Sequence, residues 1–229
     1  MIRKQHGNTL WYEFELLQPF PALRHACFVH PHLPSALPID NREPPFVGSI
    51  IAPLQHHSSE VIVLNSPLPA VVHADAVATT LPNLTLLIRH ADCQACLLFD
   101  PEHLAIANVH AGWRGNVLNI YQATIERMKQ EWGTRPETVL ACIGPSLGPC
   151  HAEFQGWRDL FPPSFEPFQT SANYFDLWAI GRHQLLSCGL VPEHIEMANM
   201  CTYCHPEGFL SYRRDKTTQR HATCITLCP

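Results

Sequence analysis

Residues 88–115 limit the possible folds of this 229-residue chain more than any other segment does. Two apolar runs flank a polar turn at residues 100–103, and runs of this kind predict β-strands. The first run ends close to Cys93, and the second leads directly into His110. If the two strands are neighbours in one sheet, the thiol and the imidazole meet at one end of it. Together they can bind a metal, or act as a nucleophile and its base.

The composition is that of a globular protein, since 46% of the residues are apolar and 15% are charged. The formal net charge is −5 and no basic run is present, so we expect no nucleic-acid partner. No apolar run approaches the length of a membrane span, and no apolar signal segment follows Met1. We therefore expect no membrane partner. We also expect a cytoplasmic location, in which the ten cysteines are reduced or metal-bound.

Strand-like and helix-like segments alternate irregularly, without an internal repeat or a domain linker. This pattern predicts an α/β (α+β) fold, in which residues 1–229 form a single layered domain with mixed β-sheets flanked by helices. Apolar residues at helical spacing from Val117 to Met128, closed by Gly133, predict a helix of about four turns. A second helix is predicted over residues 177–188, and a shorter one over 153–160.

His110 and the following Gly112 and Arg114 therefore lie at a predicted strand-to-helix junction. Backbone N–H groups at a helix start attract anions, and the Arg114 guanidinium adds a fixed charge for phosphate or carboxylate. The alternative is that the glycines only permit a tight turn. A second anion-binding arginine is predicted at Arg213 or Arg214, where an exposed basic pair before a turn is the alternative.

Cys201 and Cys204 form a CxxC pair, which occurs both in zinc sites and in redox motifs. A zinc ribbon needs a second ligand pair, and the spacing of Cys224 and Cys228 does not provide one. A redox motif opens a helix, whereas the following Pro206 and Gly208 predict a loop. The expectation is therefore that this pair binds no metal.

Several segments taken together resemble the multicopper polyphenol oxidase (laccase-like) family, also known as the YfiH family. The resemblance covers residues from about 50 to 229, in the order of the family, and its longest match is specific. The segments are Ala91-Asp92-Cys93, Val109-His110-Ala111-Gly112-Trp113-Arg114-Gly115, Ile143-Gly144-Pro145 with Gly148-Pro149-Cys150, Cys201-Thr202-Tyr203-Cys204, and Phe209-Leu210-Ser211-Tyr212-Arg213-Arg214.

The resemblance implies zinc-dependent purine nucleoside phosphorylase activity on adenosine, inosine and methylthioadenosine, with adenosine deaminase activity at the same site. It implies a metal held by His57, Cys93 and His110, where His57 ends a Gln-x-His segment. Cys93, His110 and Arg114 are then the catalytic residues, and a purine nucleoside and phosphate are the small-molecule partners. Two imidazoles and one thiolate leave a fourth position open, as in catalytic zinc sites. The same ligands suit copper, which is the alternative metal.

Residues 1–48 depart from the family pattern, because the usual glycine pair of this region is absent. This departure leaves other functions open: a copper-dependent polyphenol oxidase, a metal-free Cys-His hydrolase, or a binding protein without turnover. His57 separates the metal enzymes from the hydrolase, since only a metal site requires it.

Overall fold

The structure is a computed structural model that describes residues 1–29, 49–65 and 72–229. The proline-rich loop predicted over residues 31–45 lies outside the described residues. The described strands are β1 (Ile2–His6), β2 (Thr9–Glu13), β3 (Leu23–Phe28), β4 (Ser49–Ile51), β5 (Val61–Leu64), β6 (Ala76–Thr79), β7 (Leu84–His90), β8 (Gln94–Asp100), β9 (Ala105–Ala111), β10 (Leu140–Ile143), β11 (Gln169–Ser171), β12 (Tyr174–Phe175), β13 (Ile195–Met197) and β14 (His221–Leu227).

The helices are short, and within the described ranges none is long and apolar enough to cross a membrane. Short 3₁₀ helices occur at Pro136–Thr138, Pro163–Phe168 and Pro192–His194, each beginning at a proline. The α-helices are α1 (Trp113–Val117), α2 (Ile120–Trp132), α3 (Trp157–Leu160), α4 (Leu177–Ser187) and α5 (Tyr212–Asp215).

Two six-stranded sheets form the body of the fold. The outer sheet has the order β1-β2-β3-β14-β7-β4, and the central sheet has the order β13-β10-β8-β9-β6-β5. Most neighbouring strands are antiparallel, but β4 with β7, β5 with β6, and β10 with β13 are parallel pairs. The sheets are therefore mixed, and the predicted fold class, a layered α+β fold, is confirmed.

The central sheet is buried on both faces, as the alternation of side chains along β8 shows. Leu97 and Phe99 pack against the outer sheet, whereas Cys96 and Leu98 pack with residues of α2 and α4. Asn108 on β9 also reaches the outer sheet, where its amide donates to two backbone carbonyls at 3.0 and 2.8 Å. The molecule thus has three layers: outer sheet, central sheet and helices.

Two predicted helices differ in the structure. The helical pattern from Val117 is divided into α1 and α2, because Asn119 adopts a left-handed conformation (φ 54°) and caps α2 with its side chain. The helix predicted over 153–160 is only α3. Phe154 is instead held in a loop by a hydrogen bond to the Asn173 carbonyl, and Gly156 (φ 67°) precedes the short helix. The helix predicted over 177–188 is confirmed as α4.

Cys93 and His110 are brought together by a different pair of strands from the one that the sequence suggested. β7, which ends at His90, belongs to the outer sheet. Cys93 lies immediately before β8, and β8 pairs with β9 through the turn at residues 101–104. Because Ala95 is opposite His110, the start of β8 lies beside the end of β9. The predicted meeting of thiol and imidazole therefore occurs at the open end of a hairpin.

Candidate active site and metal centre

His57, Cys93 and His110 converge although they come from three separate segments. Their ligand atoms all lie within 4.8 Å of one another. The Cys93 Sγ is 3.9 Å from the His57 Nε2, and the two imidazole rings are 5.0 Å apart at their centroids. His110 is buried, whereas His57 is exposed. The geometry brings together the three residues that sequence analysis singled out, and their role as metal ligands stays a prediction.

Asp75 organises this cluster, and sequence analysis did not identify it. Its Oδ1 accepts a hydrogen bond from the His110 Nδ1 at 2.8 Å and from the His57 backbone N–H at 3.0 Å. Its Oδ2 accepts from the backbone N–H and the hydroxyl of Ser58 at 2.7 and 2.8 Å. One fully buried carboxylate thus orients one imidazole and folds the loop that carries the other. The only sequence signal was an acidic residue directly before the apolar strand β6.

The conformation of His57 is itself unusual, since its φ is 62°. A left-handed backbone is uncommon for a residue other than glycine, and such strain is concentrated at functional sites. The hydrogen bonds from the 57–58 backbone to Asp75 hold the turn in this conformation. They direct the His57 side chain towards Cys93.

The charges of Asp75, Cys93 and His110 support one another. Burial alone would raise the pKa of Asp75, but hydrogen bonds from His110 and Ser58 hold it well below its ordinary value. Burial would also raise the pKa of Cys93, but the His110 and His57 imidazoles lower it to about 6. Against the opposing effect of burial, Cys93 and Asp75 raise the pKa of His110 to about 9. In the absence of a metal, these shifts favour a thiolate–imidazolium pair.

The donor set fits a zinc ion. The hydrogen bond to Asp75 engages Nδ1 of His110 and leaves Nε2 as the ligand atom, which is the usual support for a zinc-binding histidine. A lowered thiol pKa supplies the thiolate that a metal needs. Gly112 leaves the necessary room, since a Cβ at this position would lie 2.8 Å from His57 and 3.0 Å from the Cys93 sulfur. The three residues therefore match a three-ligand zinc site with one open position.

A cavity of about 830 Å³ opens over the cluster. Part of its wall is apolar and includes Leu147, Phe154 and Leu177, which belong to an aromatic-rich cluster outside the sheets. The other part carries positive charge from Arg89, Arg114, Arg213, Lys216 and Arg220. Among the described residues, no carboxylate forms an ion pair with any of these cations.

The structure separates the predicted anion-binding arginines. Arg114 lies in the cavity wall with its guanidinium 4.1 Å from the centroid of the Trp113 ring. Arg213 also lines the cavity, with one guanidinium nitrogen donating to the Glu153 carbonyl at 2.7 Å, whereas Arg214 donates to the backbone carbonyls of Thr202 and Phe209 and supports a loop. The second candidate for anion binding is therefore Arg213.

Asp92 lies in a bend with a φ of 85°, between the end of β7 and the start of β8. Its carboxylate accepts hydrogen bonds from the Thr202 hydroxyl at 2.7 Å and from the Arg213 N–H at 2.6 Å. Asp92 therefore connects the turn that carries Cys93 to the two segments that contain Thr202 and Arg213.

Cys201 and Cys204 lie in a loop, as predicted, but they are not alone. Cys150 and His151 lie beside them, and the four ligand atoms are within 4.8 Å of one another. Cys224, in contrast, is buried in β14. The residues that could complete a set of four ligands come from a segment about fifty residues before the CxxC pair, and not from the sequence after it.

Comparison with known proteins identifies the family. A model of the multi-copper polyphenol oxidoreductase laccase family matches residues 45–228. The chain belongs to this family.

Several relatives carry an enzyme name. A purine nucleoside phosphorylase of Bacteroides thetaiotaomicron is 34% identical in an alignment of 185 residues that covers 72% of this chain and 68% of that protein. The purine nucleoside phosphorylase YfiH of Escherichia coli is 33% identical, covering 76% of this chain and 72% of its own. The human purine nucleoside phosphorylase LACC1 is 30% identical over 70% of this chain, which spans only 39% of that longer protein.

Solved structures share the fold at low sequence identity. YlmD from Geobacillus stearothermophilus superposes with a TM-score of 0.80, at 20% identity, over 99% of this chain and 98% of its own. YfiH from Bacillus licheniformis superposes with a TM-score of 0.78, at 21% identity, over 96% of both chains. This likeness extends over the N-terminal strands as well as the part matched by the family model.

Proposed function

We propose that this protein is a purine nucleoside phosphorylase that holds zinc at His57, Cys93 and His110, and that it also deaminates adenosine. The observation that carries the proposal is the position of these three residues beneath a cavity with an apolar wall and a cluster of cations. Relatives named purine nucleoside phosphorylase, at 30–34% identity, support the same reaction.

The two parts of the cavity wall suit the two substrates. Arg114 and Arg213, with Lys216 and Arg220, provide positive charge for orthophosphate, and guanidinium groups bind phosphate oxygens in pairs. The apolar side chains, including Phe154, offer a dry surface for the purine ring. Binding both molecules in one cavity places a phosphate oxygen near the ribose, which is the main requirement for a displacement between two substrates.

In phosphorolysis, a phosphate oxygen forms a bond to C1′ of the ribose while the bond from C1′ to the purine nitrogen breaks. The electron pair of that bond stays on the purine, which takes up a proton and leaves as the free base. In deamination, water replaces the amino group of adenosine and ammonia leaves. A zinc ion at the three ligands would supply a Lewis acid for these steps. Asp75 keeps the His110 ring in the orientation that this requires.

The test is a set of single substitutions, with zinc content and phosphate-dependent release of base from adenosine and inosine as readouts. His57→Ala, Cys93→Ala and His110→Ala should each remove one zinc equivalent and lower activity at least about 100-fold. Arg213→Gln should raise the KM for phosphate. Arg135→Gln is the matched control, since Arg135 pairs with Glu102 and does not line the cavity. Full activity in His57→Ala would refute the metal enzyme.

A metal-free cysteine hydrolase is the second candidate, and one observation favours it. Cys93, His110 and Asp75 form a nucleophile–base–carboxylate series, in which the carboxylate orients the imidazole at 2.8 Å. This function predicts that Cys93→Ala is inactive, whereas His57→Ala and chelated wild-type protein remain active. The same substitutions therefore separate the two functions.

The description of the family model keeps copper-dependent phenol oxidation as an alternative. Two imidazoles and a thiolate also suit copper. Oxygen uptake with a phenolic substrate by copper-loaded protein, abolished by His57→Ala and absent from zinc-loaded protein, would support it over the phosphorylase.

A further inference from the structure

We propose a second metal site, a structural zinc site formed by Cys150, His151, Cys201 and Cys204. The proposal is independent of the function proposed above, since it uses none of the same ligands. Three sulfurs and one imidazole nitrogen are one of the common ligand sets of structural zinc, which closes all four positions with protein atoms.

The distances match those of a tetrahedral zinc site. With zinc bonds of about 2.3 Å to sulfur and about 2.0 Å to nitrogen, two sulfurs are about 3.8 Å apart and a sulfur and a nitrogen about 3.5 Å apart. The Cys150 and Cys204 sulfurs are 3.6 Å apart. The His151 Nδ1 is 3.2 Å from the Cys150 sulfur and 3.5 Å from the Cys204 sulfur. The Cys201 sulfur lies within 4.8 Å of the other three ligand atoms.

The backbone holds these ligands in place without a metal. Ser146 and Cys201 form a parallel β-bridge between the two segments, and the Gly148 N–H points at the Cys201 sulfur at 3.3 Å. A Cβ on Gly148 would lie 3.0 Å from the Cys201 Cβ, so the close approach depends on this glycine. An N–H directed at a sulfur stabilises a thiolate ligand.

The imidazole is also fixed in its orientation. The His151 ring stacks on the Tyr203 ring at 3.7 Å and 14°, so the aromatic residue inside the CxxC pair positions the ligand that lies outside it. Cys150 and Cys204 are exposed and Cys201 is buried, so the site lies at the surface, where a metal can enter.

The site would stabilise the wall of the cavity. Leu147, which lines the cavity, donates its N–H to the Asp92 carbonyl, and the Thr202 hydroxyl donates to the Asp92 carboxylate. A metal that fastens the 144–151 segment to the 201–204 segment therefore holds both against the turn that carries Cys93. Its expected role is structural.

The experiment measures zinc per chain in protein purified with zinc and a thiol reductant, and then freed of loosely bound metal. Wild-type protein should hold two equivalents and His57→Ala one. In the His57→Ala background, Cys150→Ser or Cys204→Ser should remove the remaining equivalent. Cys188→Ser is the matched control, because Cys188 is a partly buried free cysteine outside the cluster, and it should change nothing. X-ray absorption at the zinc edge of His57→Ala should show three sulfurs and one nitrogen.

Three results would overturn the proposal: His57→Ala without zinc, a zinc shell without three sulfurs, or zinc content unaffected by Cys150→Ser and Cys204→Ser. A disulfide between Cys150 and Cys204 in the zinc-purified protein would also contradict it. Absorption spectroscopy on His57→Ala does not depend on the folding of the cysteine variants. A single zinc in wild-type protein, lost in Cys204→Ser and retained in His57→Ala, would support the second site. The same result would contradict the function proposed above.

Discussion

Among the single residues of the site, Asp75 is the one that accepts hydrogen bonds from both His57 and His110. It orients His110 and holds the backbone of the loop that carries His57. Asp75→Asn should therefore weaken zinc binding about 10- to 100-fold, because loss of the carboxylate partner frees the imidazole to rotate and lowers its basicity. Competition with a chromophoric chelator measures this change.

Asp100→Asn is the matched control for this substitution. Asp100 is also buried and accepts hydrogen bonds from His103 and from the Glu102 N–H, but at the other end of β8. It should lower stability without changing the affinity of the His57 site. Equal losses of zinc affinity in both variants would show that Asp75 acts only through general stability.

The space around Gly112 is too small for a Cβ atom. Gly112→Ala places a Cβ 2.8 Å from the His57 ring and 3.0 Å from the Cys93 sulfur, so the ligands have to move apart. Zinc affinity should fall at least about tenfold, since metal sites tolerate little displacement of their ligands. Gly115→Ala is the control, because its Cβ would meet neighbours only at ordinary distances of 3.5 Å or more. Isothermal titration of both variants compares them, and an unchanged affinity in Gly112→Ala would contradict the geometry.

The pKa of Cys93 gives a prediction for metal-free protein. Since neighbouring imidazoles lower this pKa to about 6, the thiolate forms as the pH rises through 6, and alkylation by iodoacetamide should reach half its maximal rate there. Peptide mass spectrometry would measure the alkylation rate from about pH 4 to about pH 10, a range that covers both the thiol and the thiolate. Cys188, whose pKa burial raises to about 11, is the internal comparison. Half-maximal alkylation of Cys93 near its ordinary pKa would refute the pairing.

At the scale of helices and strands, periodicity predicted the elements that have a regular apolar pattern. The strands around Cys93 and His110, the helix α4 and the strand-to-helix junction after His110 were predictable from the sequence for this reason. The break between α1 and α2 was not, because it depends on the conformation of the single residue Asn119. Apolar spacing does not reveal that a single polar residue adopts a left-handed backbone conformation.

Asn119 provides a test of that break. Its backbone is left-handed and its side chain accepts a hydrogen bond from the Gln122 N–H. Asn119→Ala loses the cap and strains the backbone, so the free energy of unfolding should fall by about 2 kcal/mol. Asn119→Gly keeps the conformation and should cost clearly less, since glycine has no Cβ penalty. Urea denaturation of both variants compares them, and equal losses would show that only the cap matters.

At the scale of the whole molecule, contacts between distant segments decide what could be read from the sequence. The resemblance to the family supplied His57, Cys93 and His110 together, and the structure places them side by side. Asp75 and the Cys150–His151 pair were missed, because their partners lie 17 to 54 residues away in the chain. A local sequence pattern does not show which distant segments the folded sheets bring together.

The most direct test of the whole account is the release of base from inosine by zinc-loaded wild-type protein, with and without orthophosphate. We predict that free base and ribose 1-phosphate appear in equal amounts, and only when phosphate is present. Free ribose that appears without phosphate, or no base release from protein that holds zinc at His57, Cys93 and His110, would contradict the account.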